Sequence, residues 1–270
     1  MKIVFWSDRP GHGLVTSNML ALASIAATQY NYKCSMLQLS HLWSNGMQTA
    51  FIDTSLVSDD YFQNTGMDAL LRTVKTGATE KQQIINCGIS FLNRNLDLYL
   101  PTKEEIPENY YKELLEQEEA LMSALDSSYD LSFFDAGSGS SPHAIKAMEE
   151  ADVIVICLPE NTFAVQEFLK NCHIEANNLY FLFGSYNKDS VMNVKNLCKK
   201  FKKSGLLTKN TGIIPYDIGF SDAISTSTLS RFFLSNKETT PKDAAHNFIK
   251  QTKTTFADIM KYVGYNVVSE

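Results

Sequence analysis

Short runs of apolar residues, each continuous and each separated from the next by a stretch of helical periodicity, set the strongest limit on how this chain folds. Lys2 to Ser7, Ser35 to Leu39, Leu131 to Phe134, Val153 to Leu158, Leu179 to Phe183 and Gly212 to Ile214 read as strands without the in–out alternation of a sheet that has one face in water. Strands of that kind are covered on both faces, and βα alternation then implies a mostly parallel sheet. Ile89 to Asn93 and Leu96 to Leu100 read as two further strands around Asn93-Arg94-Asn95. Helices are expected at Thr16 to Tyr30, with Thr16 or Ser17 as the cap, and at Gly66 to Lys75, Pro107 to Leu125 and Pro142 to Glu149. Others are expected at Thr162 to Lys170, Ser190 to Lys203 and Pro241 to Val263. The expectation is an α/β, doubly wound fold with helices on both faces of the sheet. No Pro/Gly/Ser-rich linker and no internal repeat divides residues 1–270, which read as a single domain.

Apolar residues make up 44% of the chain, enough for a large core and too many for a disordered class. The longest apolar runs fall far short of the roughly 20 residues of a membrane span. The N-terminal residues enter a strand directly, without the pattern of a signal peptide, so a cytoplasmic protein is expected. Cys34, Cys87, Cys157, Cys172 and Cys198 form no C-x-x-C pair and read as reduced core thiols. A net charge of −6 excludes a uniformly nucleic-acid-binding surface. Lys195, Lys199, Lys200, Lys202 and Lys203 form one local exception, readable as a solvated helix face or as a patch for DNA or an acidic partner.

In a doubly wound sheet, ligands bind beyond the carboxyl ends of the strands. The first such loop reads Asp8-Arg9-Pro10-Gly11-His12-Gly13-Leu14-Val15-Thr16-Ser17-Asn18. Its glycines and the helix that follows favour a phosphate, although a tight turn with no ligand needs the same glycines. A dinucleotide fingerprint fits poorly, because a third glycine and an acid at the end of the second strand are both missing.

The loop resembles that of the ParA/MinD branch of P-loop ATPases, in which Lys-Gly-Gly-x-Gly-Lys-Thr-Thr follows the first strand. Aligned without gaps, this chain has Arg9-Pro10-Gly11-His12-Gly13-Leu14-Val15-Thr16. Tyr129 to Gly137 resembles the family's Walker B segment, with Asp135 as its aspartate. Ala151 to Glu160 resembles the next strand, and Gly212-Ile213-Ile214-Pro215-Tyr216-Asp217 resembles the late turn near the adenine. The Asp-x-Gly-x-Gly form after Asp135 is nearest the pilus-positioning relatives TadZ and CpaE. The resemblance implies a nucleotide site (ATP or ADP) at Arg9, Gly11, His12, Gly13, Leu14, Val15, Thr16, Ser17, Asp135 and Pro215, with Mg²⁺ at Thr16 and Asp135. It also implies a homodimer and a protein partner from a partition, pilus or secretion system.

The departures bear on catalysis. Leu14 and Val15 stand where the family has the phosphate-gripping lysine and the Mg²⁺-binding hydroxyl, and Leu39-Ser40-His41-Leu42-Trp43 replaces the aspartates that end the second strand. Arg9 stands at the signature lysine and keeps its charge, though an exposed turn also accommodates arginine. Each lost contact to a transferring phosphoryl group costs on the order of 3 kcal/mol. With these departures the resemblance implies impaired or absent hydrolysis, with binding left to the backbone cradle at Gly11 to Thr16, Asp135 and the late turn. The alternatives are an atypical ATPase using Arg9 and Thr16, or an interaction module that binds no nucleotide. Asp135 reads otherwise as a cap for the loop from Gly137 to Ser141. His12 and His41 have room to face each other at the site, but a lone histidine is more often structural, and two make no metal centre without carboxylate or thiolate company. Ser138, Ser140, Ser141 and His143 lack a nucleophile elbow. Phe248, Ile249, Phe256, Ile259, Met260 and Val263 give the last helix an apolar face, expected to pack on the sheet.

Overall fold

The computed structural model describes residues 1–41, 46–53, 64–77, 79–172, 174 and 176–265; Leu42 and Trp43 of the second strand's exit lie outside them. The chain runs β1 (Lys2–Ser7), α1 (Val15–Gln29), β2 (Cys34–Gln38), α2 (Met67–Lys75), α3 (Lys81–Asn86), β3 (Ile89–Phe91), β4 (Leu96–Tyr99) and α4 (Pro107–Ser128). It continues β5 (Leu131–Ser138), α5 (Pro142–Glu149), β6 (Val153–Leu158), α6 (Thr162–Asn171), β7 (Leu179–Tyr186), α7 (Val194–Phe201) and β8 (Thr211–Pro215). Three helices, α8 (Ile218–Ser225), α9 (Leu229–Ser235) and α10 (His246–Tyr262), close it.

The sheet has 8 strands in the order β3-β4-β2-β5-β1-β6-β7-β8. Its pairings are parallel except for the β3–β4 hairpin at the edge. Each central strand is buried on both faces, as continuous apolar runs require. On β1, Ile3 and Phe5 join the core under α1, α9 and α10, while Val4 and Trp6 join the opposite core under α2, α4, α5 and α6. Fully burying a side chain of this size contributes about 1.5–3 kcal/mol, so the two cores hold helices against both faces of the sheet.

Several boundaries differ from expectation. Helix α1 begins at Val15 without a side-chain cap; its N-cap is Leu14, at φ 53° and ψ 40°. The Thr16 hydroxyl, expected to cap, donates to Asp135 instead. Residues 241–245 stay outside α10, because the Asp243 carboxylate accepts from both the N–H and the hydroxyl of Thr240 and holds a turn there. Helix α7 starts at Val194, where the Asn193 side chain accepts from Asn196 N–H and sets the cap. The last helix packs on β8 and α1, with Phe248, Ile249, Phe256, Ile259 and Met260 buried. The five cysteines are free thiols, and all but Cys172 are buried. Among the described residues, no helix is long and apolar enough to cross a membrane.

Candidate nucleotide site

The phosphate loop leaves the carboxyl end of β1 between β5 and β6. Gly13 is fixed there by packing. A Cβ on it would lie 2.4 Å from the Cys157 carbonyl oxygen and 2.7 Å from Ser7 Oγ, so only glycine fits against the ends of β1 and β6. Asn18 holds the same turn by donating from Nδ2 to the Gly13 carbonyl at 2.9 Å. Gly11, at φ +73°, faces open space and serves the backbone turn rather than the packing. Ser7 Oγ is buried beneath the loop without a partner.

Asp135 sits on β5 level with Phe5 of β1 and Gln38 of β2. It is 1% exposed, and burial raises its pKa against the opposing pull of two donors. Those donors are Thr16 Oγ1, at 2.5 Å from Oδ2, and Gly137 N–H, at 2.8 Å from Oδ1. The second contact is the capping role considered for Asp135, and the first ties the acid to the phosphate loop. Trp6 Nε1 donates to the Gly139 carbonyl at 2.7 Å, so the segment after β5 is pinned to β1 as well.

Arg9, Gly11, Gly13, Leu14, Val15, Thr16, Ser17 and Asp135 line one cavity of about 470 Å³. His12 is exposed and outside that lining. His41 lies beside Tyr110 and Tyr111, with its Nε2 against the Glu104 carbonyl, and the two histidines share no contact among the described residues. Arg9 reaches Glu167 of α6 at 2.8 Å and Asp8 at 3.3 Å. Pro215 lines a smaller hollow of about 170 Å³, which shares Leu14 and Ser17 with the first. Pro215 and Tyr216 also border a third hollow, of about 550 Å³, with Asn187, Asn247 and Gln251. The three hollows are neighbours, the second sharing Leu14 and Ser17 with the first and Pro215 and Tyr216 with the third.

Sequence reasoning missed part of the lining: Gln38, Ser40, Tyr111 and, as a pocket residue, His143. The His143 ring stacks on Tyr111 at 4.6 Å and 4°, and its Nε2 lies 3.0 Å from Ser141 Oγ. Burial lowers its pKa, which favours the neutral ring.

The residues fit a polyphosphate. The N-terminus of α1 is uncapped, leaving first-turn N–H groups for an anion at the positive end of the helix dipole. They fit Mg²⁺ only in company with that anion. No group of three or more His, Cys, Asp or Glu residues gathers among the described residues, and Mg²⁺ is commonly held by one or two carboxylates plus substrate phosphates. Asp135 and Thr16 are the groups that would hold it.

No protein-family model matches the sequence, and no curated protein sequence matches it. The architecture does have counterparts among solved structures. A ParA family ATPase from Chlorobium tepidum superposes with a TM-score of 0.69 at 12% identity, over 94% of this chain and 98% of that one. The chain has the ParA/MinD fold. The cell division ATPase MinD from Pyrococcus furiosus gives 0.61 at 13% identity, over 97% of both chains. A plasmid partition protein from Borrelia burgdorferi, bound to AMPPNP, gives 0.55 at 15% identity, over 97% of both.

Proposed function

We propose that the protein is a nucleotide-dependent positioning or partition protein, one domain across residues 1–270, that binds ATP or ADP and hydrolyses ATP slowly or not at all. The observation that carries this reading is the pairing of an uncapped, glycine-turned α1 N-terminus with Asp135, in a loop whose Leu14 and Val15 offer no charge and no hydroxyl. Phosphate would sit on the α1 N-terminus, and the path past Leu14, Ser17 and Pro215 to Asn247 has the polarity to take ribose and base. Bound Mg²⁺ would neutralise phosphate charge. Arg9, now paired with Glu167, is the cation available to a facing copy in a homodimer.

Isothermal titration with ATP and with ADP, with and without Mg²⁺, tests the binding. Steady-state ATP turnover is expected at background, and Leu14→Lys alone leaves it there, because Val15 still supplies no metal ligand. Brisk turnover by the wild type, abolished by Asp135→Ala, would replace this reading with that of an atypical ATPase. The 2.5 Å contact between Thr16 and Asp135 favours that second reading, since it places a hydroxyl one position late yet against the acid.

Lys199, Lys200, Lys202 and Lys203 are exposed on and just after the last turn of α7, at the opposite end of the sheet from the phosphate loop. Leu197, Cys198 and Phe201 are buried behind them. If a partitioned cargo is DNA, this is the surface that meets it. Replacing the four lysines by glutamate is then expected to abolish DNA retention, which in the wild type weakens steeply with salt. Retention unchanged by the substitutions assigns the cluster to a solvated helix face.

A further inference from the structure

The N-terminal ends of β2, β4 and β5 face away from the phosphate loop, and an open hollow of about 780 Å³ lies there between α3, the β3–β4 edge and the α4–β5 junction. Its floor is polar and buried. Asp97, 6% exposed, accepts hydrogen bonds from Tyr129 Oη at 2.8 Å and Ser90 Oγ at 2.5 Å. Its rim carries Lys33, Lys81 and Arg94, all exposed. None of the three is in the ion pairs of the described residues. Lys33 Nζ donates to neutral oxygens, the Arg94 carbonyl at 3.1 Å and Asn95 Oδ1 at 2.7 Å, while its backbone N–H donates to Asp130 Oδ2 at 2.8 Å.

The backbone that presents Arg94 is strained. Leu92, Asn93 and Arg94 are consecutive non-glycine residues at φ 50°, 57° and 65°. Left-handed backbone is unfavourable for residues with a Cβ, although asparagine tolerates it better. Strain of this kind persists where its surroundings impose it, and it concentrates at ligand sites. Here it holds a guanidinium at the rim of a hollow that already has two ammonium groups.

We propose that this hollow binds a small phosphate ester with a polyhydroxyl body. The phosphate sits on Lys33, Lys81 and Arg94, and a ligand hydroxyl donates to Asp97. The acid at the floor selects against a bare anion and for a ligand that carries a donor at the end away from its phosphate. The volume lies within the roughly 300–1,000 Å³ usual for small-molecule sites. The site is separate from the nucleotide path and stands whether or not nucleotide binds there.

An NMR titration of the ¹⁵N-labelled protein with ribose 5-phosphate, and in parallel with inorganic phosphate and with ribose, tests it. Saturable shifts are expected at the amides of Gly88, Ser90 and Asn95, with ribose 5-phosphate at least tenfold tighter than either fragment. Arg94→Gly is expected to weaken binding at least tenfold while raising the thermal midpoint, because glycine adopts φ +65° freely. Lys81→Ala, on the exposed face of α3, weakens binding without touching the strained turn. Shifts confined to Gly11 and Gly13, fragment affinities equal to that of ribose 5-phosphate, or wild-type affinity in both variants would overturn the site.

Discussion

Gly13→Ala is expected to destabilise the protein by about 3 kcal/mol, the upper range for forcing one methyl group into a well-packed interior. The added Cβ meets the Cys157 carbonyl at 2.4 Å and Ser7 at 2.7 and 2.9 Å. The first of these is backbone in the middle of the sheet and cannot swing away as a side chain would. The loop must rise off β1 and β6, carrying with it the N-terminus of α1 and Thr16. On the proposed function, nucleotide affinity is expected to fall together with stability. Gly11→Ala supplies the contrast. Its φ of +73° makes alanine costly by about 1–2 kcal/mol, but its Cβ meets nothing, and the loop stays seated on the sheet. Thermal unfolding of both variants, with and without ATP, separates the effects. For a chain of this size a loss of 3 kcal/mol lowers the midpoint by about 6–12 °C. Equal midpoints for Gly13→Ala and the wild type would mean that the loop does not rest on the Cys157 carbonyl.

That contrast also marks what the sequence could disclose. The two glycines are equivalent in the string Pro10-Gly11-His12-Gly13, yet one serves a left-handed turn and the other a close approach visible only when β6 lies beside β1. The central strands were legible because they are unbroken apolar runs of the right length. Asp135 was legible because a carboxylate ending such a run needs a reason to be there. Gln38, Tyr111 and His143 were not legible as one lining, since they come from β2, α4 and α5 and no local spacing links them. Helices α8 and α9 were missed for a different reason. Their stretch is crowded with Ser221, Ser225, Thr226, Ser227, Thr228 and Ser230, which favour turns when read locally. They are helical because Phe220, Phe232 and Phe233 pack around Phe248 of α10, a tertiary contact that outweighs propensity. The polar segment Lys81 to Asn86 hid α3 in the same way, with Ile84 alone fully buried.

A second large effect follows from Glu118, midway along α4. Its side chain is fully buried and neither carboxylate oxygen has a hydrogen-bond partner. Burial is the main cause of its raised pKa, Lys146 of α5 pulls the other way, Glu150 of α5 adds to the rise, and the result is about 8. Lys146 offers only partial relief, since its Nζ donates to the Leu115 carbonyl at 3.0 Å. In the unfolded chain the same carboxyl ionises near its ordinary value of 4.5. Below that value both states hold the proton and the residue adds no pH dependence. Between 4.5 and 8 the folded state keeps a proton that the unfolded state releases, so stability falls as pH rises. Above 8 the full penalty is in place. A tenfold difference in proton affinity between the folded and unfolded chain is worth about 1.36 kcal/mol. Relaxation around a buried charge reduces the total, which leaves about 3 kcal/mol between pH 5 and pH 9. Glu118→Gln keeps the shape and removes the titration. Its own buried amide sets a constant offset against the wild type, so the informative quantity is the slope. Urea unfolding of both proteins at intervals from pH 5 to 9 is expected to show the variant gaining steadily on the wild type up to pH 8 and no further. Parallel curves across that range would mean that water reaches the Glu118 carboxylate and that the α4–α5 contact does not bury it.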